Sequence, residues 1–322
     1  MFPKRGDLTI CFAHAAYQMK TTFDSLNAGI ANFEVRDRAE LDRRVNEADV
    51  VVVSGMWHNG LIPAWPRLKF IQSISSGTDQ YDKTALAGKG VRLASAAGVN
   101  ARAVAEHAMS LILAMARRLP EARDNQARAH WRGMIGDLAG REDELGGKTL
   151  AIIGLGRIGG RLARLAKAFD MNVIGFRRDP SLGAGEADHV HALTSLWEQL
   201  PNADFVARTC PLTPDTAGVI NAGALSMMRR SAYLINVARG GCVDESALLQ
   251  ALQSGQIAGA ALDCADPEPP AAASPLWKMP NVFLTPHTAG ETTRYEANVI
   301  EILLENLDRL WKGQTGLRNQ VV

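Results

Sequence analysis

The stretch that decides the fold is TLAIIGLGRIGGRLARLAKA, residues 149–168. A short apolar run, typical of a buried strand, leads into a helical segment through Gly154, Gly156 and Gly159, which form a GxGxxG pattern. The first glycine permits a tight turn, the second lets a pyrophosphate approach the backbone, and the third lets the helix pack on the strand. The N–H groups at the helix N-terminus favour negative charge. The stretch therefore predicts a dinucleotide-binding βαβ unit, with a simple glycine turn as the alternative.

The next strand, VIGFRRDP at residues 173–180, ends in two arginines. NAD-selective sites place an acid at the end of this strand, where it accepts a hydrogen bond from the ribose 2′-hydroxyl and repels a 2′-phosphate. Arg177 stands at that position, with Arg178 beside it, and a guanidinium can bind a phosphate through two charge-assisted bonds. The pair predicts NADP(H). Two alternatives, solvated surface arginines or Asp179 binding the ribose hydroxyl, keep NAD open.

Around this unit, short Val-, Ile- and Leu-rich runs alternate with segments of helical period. This pattern predicts an α/β protein whose parallel sheets are covered by helices on both faces. The predicted strands are LTICFA, FEVR, DVVVVSG, KFIQSI and VRLASA in the first region, and TLAIIGLG, MNVIGFRR, FVARTC, AYLINVAR, AGAALD and VFLTPH in the second. A long helix over residues 100–119 is predicted to connect them, and a final helix over residues 292–313 is expected to pack on the first region.

Length and composition limit the function classes. A chain of 322 residues with 47% hydrophobic and 21% charged residues predicts two folded units. A formal net charge of +1 provides no field to attract nucleic acid or anionic lipid, so neither partner is expected. The four scattered cysteines and the seven histidines show no metal-ligand spacing, and no signal peptide or membrane span is evident. These features predict a cytoplasmic protein without a metal site.

Four motifs, in order along the chain, carry a family resemblance. GLGRIGGRLARLAKAF, CPLTPDTAG, NVARGGCVDESALLQALQSGQIAGAALDCADPEP and TPHTAG resemble the NAD(P)-dependent D-2-hydroxyacid dehydrogenases, which include glyoxylate, hydroxypyruvate and phosphoglycerate enzymes. The resemblance implies two doubly wound parallel-sheet domains with the active site in the cleft between them. Residues 100–290 would form a Rossmann-type dinucleotide-binding domain, and residues 1–99 with 291–322 a smaller flavodoxin-like substrate domain. It also implies a homodimer.

The resemblance assigns three catalytic residues. Arg239 of NVARG would bind the carbonyl and carboxylate oxygens of a 2-oxo acid, because a guanidinium can hold both together. His287 of TPHTAG would act as the acid/base that exchanges a proton with the substrate oxygen. Glu268 of the EP dipeptide would orient His287 and favour its protonated form. Taken singly, each residue has a structural alternative; together in the family's order they predict a catalytic set.

Further contacts are predicted for the cofactor and for the substrate. On the cofactor side, Arg157 and Ile158 lie on the glycine loop, and Cys210 and Pro211 end a strand beneath the adenosine. Thr216 is expected to reach a ribose or phosphate oxygen. Val237, Ala238 and Asp263 match family positions that flank the nicotinamide, where Asp263 would receive the N–H₂ group of the carboxamide. On the substrate side, backbone N–H groups of Ser76 and Gly77 are expected to bind the carboxylate, and Trp57 to close over the substrate, with packing as a domain-edge hydrophobe the alternative for Trp57.

Two function classes follow from these expectations. The first is an NADPH-dependent oxidoreductase acting on a small 2-oxo or D-2-hydroxy acid of the glyoxylate or hydroxypyruvate type. The second is a nucleotide-sensing interaction protein, because transcriptional corepressors of the C-terminal-binding-protein type share the fold. The intact set of Arg239, Glu268 and His287 favours the enzyme.

Overall fold

The computed structural model describes residues 2–322, except for the side chain of residue 139. The described residues form two compact units: residues 2–100 together with Thr292–Val322, and Ala101–Glu291. The assignment of a substrate role to the first and a dinucleotide role to the second stays a prediction.

The strands and helices follow each other in nearly regular alternation. The strands are β1 (Thr9–Ala13), β2 (Ala31–Val35), β3 (Val50–Val53), β4 (Phe70–Ser73), β5 (Arg92–Ala94), β6 (Thr149–Ile153), β7 (Asn172–Arg177), β8 (His189–Ala192), β9 (Phe205–Arg208), β10 (Tyr233–Asn236), β11 (Gly259–Leu262) and β12 (Val282–Leu284). The α-helices are α1 (Met19–Asp24), α2 (Arg38–Arg44), α3 (Leu61–Ala64), α4 (Lys83–Gly88), α5 (Ala101–Ala116), α6 (Leu119–Ala127), α7 (Arg157–Ala168), α8 (Leu196–Gln199), α9 (Ala222–Met227), α10 (Glu245–Gln253) and α11 (Tyr295–Trp311).

The first unit contains a parallel sheet in the order β2-β1-β3-β4-β5, the flavodoxin-like order. One face of the sheet packs against α11, whose Val299, Leu303 and Leu307 join a core with Ile10 and Phe12. The other face has a separate apolar core that includes helix residues of α2, α3 and α4. The sheet is therefore covered on both sides, although the helix on one face comes from the far end of the chain.

The second unit contains a seven-stranded parallel sheet in the order β12-β11-β10-β9-β6-β7-β8. This is the Rossmann order with one further strand, and the strand order reverses between β6 and β9. Apolar residues of α5 and α7 pack on one face, and those of α9 and α10 pack on the other. The prediction of an α/β protein with two doubly wound parallel sheets is confirmed.

The structure corrects two details of the predicted elements. The connecting helix does not continue to residue 119, because α5 ends at Ala116, Arg118 has a left-handed backbone with φ of 49°, and Pro120 stands in the first turn of α6. Proline cannot continue a helix, since it lacks an N–H and its ring meets the preceding turn. The second detail is the edge strand β8, HVHA, which lacks the continuous apolar run that marks the other strands.

In the described part of the chain, no helix combines the length and the apolar character that crossing a membrane requires. The cytoplasmic location stays a prediction.

Candidate functional site

The glycine loop between β6 and α7 leaves almost no space against its neighbours. Gly154 has φ of 107°, and a Cβ added there would lie 2.7 Å from the backbone nitrogen of Cys210. A Cβ on Gly159 would collide with the carbonyl of Gly154 and lie 2.8 Å from Oγ1 of Thr209. The Thr209 hydroxyl itself donates to the Gly154 carbonyl at 2.8 Å. The two glycines therefore allow the loop, the helix and the end of β9 to come together.

The middle glycine differs from its neighbours, because a Cβ on Gly156 would meet no atom within 4 Å. Gly156 is the N-cap of the 12-residue helix α7 and contributes no capping side chain. Arg157 is exposed and Ile158 half-buried in the first turn. Open space at Gly156, beside the helix N-terminus, fits a pyrophosphate, which would receive hydrogen bonds from the first N–H groups.

Arg177 ends β7 on the strand adjacent to the glycine loop. It is half-buried, and its Nη1 donates to the carbonyl of Gly183 at 2.8 Å, while Arg178 is exposed. The carboxylate of Asp179 accepts from the hydroxyl of Ser181 at 2.6 Å and from its N–H at 3.0 Å. These hydrogen bonds lower the pKa of Asp179 and hold its carboxylate on its own turn.

The loop after β9 holds itself in shape. Cys210 is half-buried, and Pro211 is exposed. The buried Thr216 hydroxyl donates to the Pro211 carbonyl at 2.7 Å and accepts from the N–H of Thr213 at 2.8 Å. Thr216 therefore stabilises this loop from within, and its contact with a ribose or phosphate oxygen stays a prediction.

The loop after β10 carries Arg239, whose side chain is exposed. Val237 and Ala238 before it are each 8% exposed. The buried Asn236 accepts from the N–H of Ala238 at 3.2 Å and donates from Nδ2 to the Arg239 carbonyl at 3.0 Å. The Arg239 guanidinium donates to the Ala238 carbonyl at 2.7 Å. The main chain that presents Arg239 is thus held from below by a buried amide.

His287 and Glu268 form a direct pair, with 2.6 Å between Nδ1 and Oε1. Their side chains are 42% and 40% exposed. His287 has a left-handed backbone with φ of 55°, uncommon for a residue other than glycine. Because Nδ1 faces the glutamate, Nε2 is the nitrogen left for another partner. The sequence prediction placed these two residues in one catalytic set, and the structure brings their side chains together.

The buried carboxylate of Asp263 anchors the loop that carries His287. Its Oδ1 accepts from the Thr285 hydroxyl at 2.6 Å and from the N–H of Thr288 at 3.0 Å, and its Oδ2 accepts from the N–H of Ala289 at 3.0 Å. Asp263 is 1% exposed. Both carboxylate oxygens therefore accept hydrogen bonds from residues that flank His287 in the sequence, and Asp263 anchors this loop. Binding of the nicotinamide carboxamide by Asp263 stays a prediction.

Sequence reasoning missed one residue of this anchor, His107 on α5. Its Nε2 lies 3.0 Å from Thr285 Oγ1 and 3.5 Å from Asp263 Oδ1. His107 is 178 residues away from Thr285 in the sequence, and its only local signal is a histidine beside the apolar residues of α5, a helix that also carries Arg102, Glu106 and Ser110. Such a position could have been marked as one that needs a buried polar partner.

The three substrate residues predicted in the first unit fall into two groups. Ser76 and Gly77 are exposed on the turn that follows β4. Trp57 is only 4% exposed, packs with its ring centroid 5.3 Å from that of Tyr81, and donates from Nε1 to Asn59 at 3.0 Å. Its surroundings favour the packing alternative over closure on a substrate.

Comparison with known proteins agrees with the motifs. Residues 109–289 match the family model described as D-isomer specific 2-hydroxyacid dehydrogenase, NAD binding domain. The chain is 35% identical to the D-3-phosphoglycerate dehydrogenase of Archaeoglobus fulgidus over 281 residues, which are 86% of this chain and 52% of that protein. It is 34% identical to the glyoxylate reductase of Thermofilum pendens over 279 residues, which are 86% of this chain and 82% of that protein.

Among solved structures, the TT0316 protein from Thermus thermophilus is 31% identical and superposes with a TM-score of 0.80. The match covers 98% of this chain and 100% of that chain. By contrast, this chain spans about half the length of the phosphoglycerate dehydrogenases that it matches.

We expect Asp263→Asn to loosen the His287 loop. One carboxylate oxygen becomes an NH₂ group, which cannot accept the hydrogen bonds that this oxygen receives in the wild type. The free energy of unfolding should fall by about 1–3 kcal/mol, the scale of buried polar groups left unpaired. Amide exchange at Thr288 and Ala289, followed by mass spectrometry, should become faster. The matched control is Asp215→Asn, an exposed carboxylate in the same unit. Unchanged exchange in Asp263→Asn would show that the carboxylate does not anchor the loop.

Proposed function

The chain belongs to the D-isomer specific 2-hydroxyacid dehydrogenase family, and we propose that it is an NADP(H)-preferring oxidoreductase acting on a small 2-oxo or D-2-hydroxy acid. The family resemblance read from the motifs is thereby confirmed. The observation that carries the proposed activity is the 2.6 Å pair of His287 and Glu268, in the same unit as the glycine loop.

Reduction of a 2-oxo acid needs a hydride at the carbonyl carbon, a proton at its oxygen and a cation for the carboxylate. A bound nicotinamide dinucleotide supplies the hydride. His287 donates the proton to the developing alkoxide from Nε2 and takes it back in the reverse direction. Arg239, exposed at the carboxyl end of β10, binds the substrate's carboxylate and carbonyl oxygens and polarises the carbonyl.

Glu268 acts through His287. Its carboxylate accepts from Nδ1, which orients the ring and leaves Nε2 for the substrate. Arg239, His287 and Glu268 would thus divide the work into substrate binding, proton transfer and orientation.

The proposed substrate is a small 2-oxo or 2-hydroxy acid. Similarity to the glyoxylate reductase of Thermofilum pendens, which extends over 82% of that protein, supports a small acid such as glyoxylate or hydroxypyruvate. Ser76 and Gly77 are proposed to bind the carboxylate through backbone N–H groups, and their exposure after β4 is compatible with this role. The similarity to phosphoglycerate dehydrogenases makes a phosphorylated hydroxy acid the compound to test beside them.

The preference for NADP(H) rests on the end of β7. Arg177 offers a guanidinium where a 2′-phosphate would lie, and Arg178 adds a second exposed cation. The hydrogen bonds that Ser181 donates to Asp179 support the proposal further. They hold the carboxylate of Asp179, the acid that could otherwise bind the ribose 2′-hydroxyl, on its own turn. The family model names an NAD binding domain, which supports a nicotinamide cofactor of either kind.

A homodimer is the proposed assembly. The segment from α6 to residue 138 exposes three large apolar side chains: Trp131 at 96%, Met134 at 102% and Leu138 at 76%. Large apolar side chains exposed this close together in the sequence favour an interaction site. A second copy of this chain is the partner that the family resemblance implies.

We expect His287→Ala to lower kcat for 2-oxo acid reduction by roughly 10²–10⁴-fold, the contribution of a general acid.

Arg239→Ala should instead raise KM for the 2-oxo acid by roughly 10- to 100-fold. Glu268→Gln should lower kcat by less than His287→Ala, because a neutral amide accepts a weaker hydrogen bond from Nδ1 of His287 than a carboxylate does and holds the ring less firmly. NADPH absorbance with glyoxylate, hydroxypyruvate, phenylpyruvate and, in reverse, 3-phosphoglycerate measures all three.

Each outcome can contradict the proposal. Full activity of His287→Ala would remove the assigned acid. Wild-type protein that binds dinucleotide but turns over no compound of this panel would favour the nucleotide-sensing interaction protein instead.

Arg177→Asp should discriminate between the cofactors. We expect kcat/KM for NADPH to fall by roughly 10- to 100-fold, the scale of lost charge-assisted hydrogen bonds, while kcat/KM for NADH changes little or rises. The matched control is Arg164→Asp, which makes the same charge change on the exposed side of α7. Equal losses with both cofactors, or an equal effect of Arg164→Asp, would contradict binding of the 2′-phosphate by Arg177.

Replacing both Trp131 and Met134 by Asp should convert the dimer to a monomer, because two charges would have to be buried in an apolar contact. Sedimentation velocity of the wild type and the double variant measures the change. Leu26→Asp, at a 53% exposed leucine in the first unit, is the control and should stay dimeric. A monomeric wild type would refute the proposed assembly.

A further inference from the structure

Arg208, the last residue of β9, is a buried cation whose partners are all neutral. Arg208 is 0% exposed. Nη1 lies 3.4 Å from the Arg239 carbonyl, and Nη2 lies 3.0 Å from the carbonyl and 3.1 Å from the Sγ of Cys210. Nε has no hydrogen-bond partner. No carboxylate among residues 2–322, as far as they are described, forms an ion pair with this guanidinium.

Such an arrangement is unfavourable for stability. Burying a charge without a counter-charge and leaving one N–H unpaired both cost free energy, and apolar residues of similar size are often as good or better at such positions. The thiol of Cys242 does not supply the missing charge, since burial raises its pKa despite the opposing effect of Arg208. Packing alone gives no reason for an arginine here.

The contacts of Arg208 connect two loops. The Arg239 carbonyl belongs to the loop after β10, and Cys210 belongs to the loop after β9. Asn236 donates to the same Arg239 carbonyl at 3.0 Å, so this oxygen receives two donors from buried side chains. Arg208 is thus placed to fix the main chain of the proposed substrate arginine relative to the loop that follows the neighbouring strand.

We infer that Arg208 is a positioning residue, whose guanidinium holds the Arg239 loop and the Cys210 loop in register so that the Arg239 side chain can bind the 2-oxo acid carboxylate. This inference rests on the proposed function. The planar guanidinium suits the task, because its separate N–H groups reach acceptors on two loops at once, whereas a lysine ammonium acts as a compact point charge.

Two substitutions test the inference. Arg208→Leu removes both the positive charge and the hydrogen bonds to the carbonyls of Arg239 and Cys210. Arg208→Lys keeps the charge but loses the planar guanidinium with its separate N–H groups. In both variants we expect KM for the 2-oxo acid to rise roughly 10-fold, the scale of a lost hydrogen bond to a charged group, while kcat changes little. Arg229→Leu is the control: it removes an arginine near the other end of β9, where its guanidinium binds Pro201 and Asp204, and its KM should equal that of the wild type.

A second readout separates this inference from the proposed function. Hydrogen exchange of the unliganded protein should become faster in residues 236–243 of both Arg208 variants and stay unchanged in residues 285–289. If the wild type turns over no 2-oxo acid, the proposed function fails, and the exchange measurement still decides whether Arg208 holds the loop. Unchanged exchange in both variants overturns the inference whatever the activity.

The kinetic outcomes are equally decisive. A lower urea midpoint for Arg208→Leu together with wild-type KM would mean a purely structural role and would overturn the inference. Restoration of the wild-type KM by Arg208→Lys would mean that the charge alone matters, which also overturns positioning by the guanidinium fork.

Discussion

The parallel direction of all seven strands in the second unit is the constraint on which its chemistry depends. Because every strand points the same way, the loops after β6, β7, β9, β10 and β11 leave the sheet at one edge. The glycine loop and Thr209 then interlock where β6 and β9 meet, at the reversal of strand order. Residues from distant parts of the chain are therefore neighbours at that edge without any direct sequence signal.

Several polar residues at this edge support loops and do not face outward. Asp263, Asn236 and Thr216 are buried and make their hydrogen bonds to neighbouring main-chain groups or hydroxyls. A buried polar group that is fully paired rigidifies the segments it joins. The exposed side chains of Arg239 and His287 are thus presented by main chain that buried side chains hold in place. The residues that can contact a ligand are therefore distinct from the buried residues that hold their main chain in place.

The fold class was predictable from local patterns, whereas the pairing of His287 with Glu268 was implied only by the family resemblance that the ordered motifs carry. Apolar runs and the glycine triplet are readable within about twenty residues, as is the end of β7 at Arg177. The roles of His107 and Arg208 were not readable, since their partners are defined by packing between remote segments. Trp57 shows the same limit: an aromatic residue after a strand has the same sequence signature whether it lies in a core or over a ligand.

The first unit is assembled from both ends of the chain, with α11 packed against strands that begin about three hundred residues earlier. During synthesis on the ribosome, β1 to β5 emerge long before the helix that covers one face of their sheet. The second unit, continuous in sequence, has all of its core residues available first. The sheet of β1 to β5 therefore keeps an uncovered apolar face until α11 has been synthesised, and such transiently exposed surface is prone to aggregation.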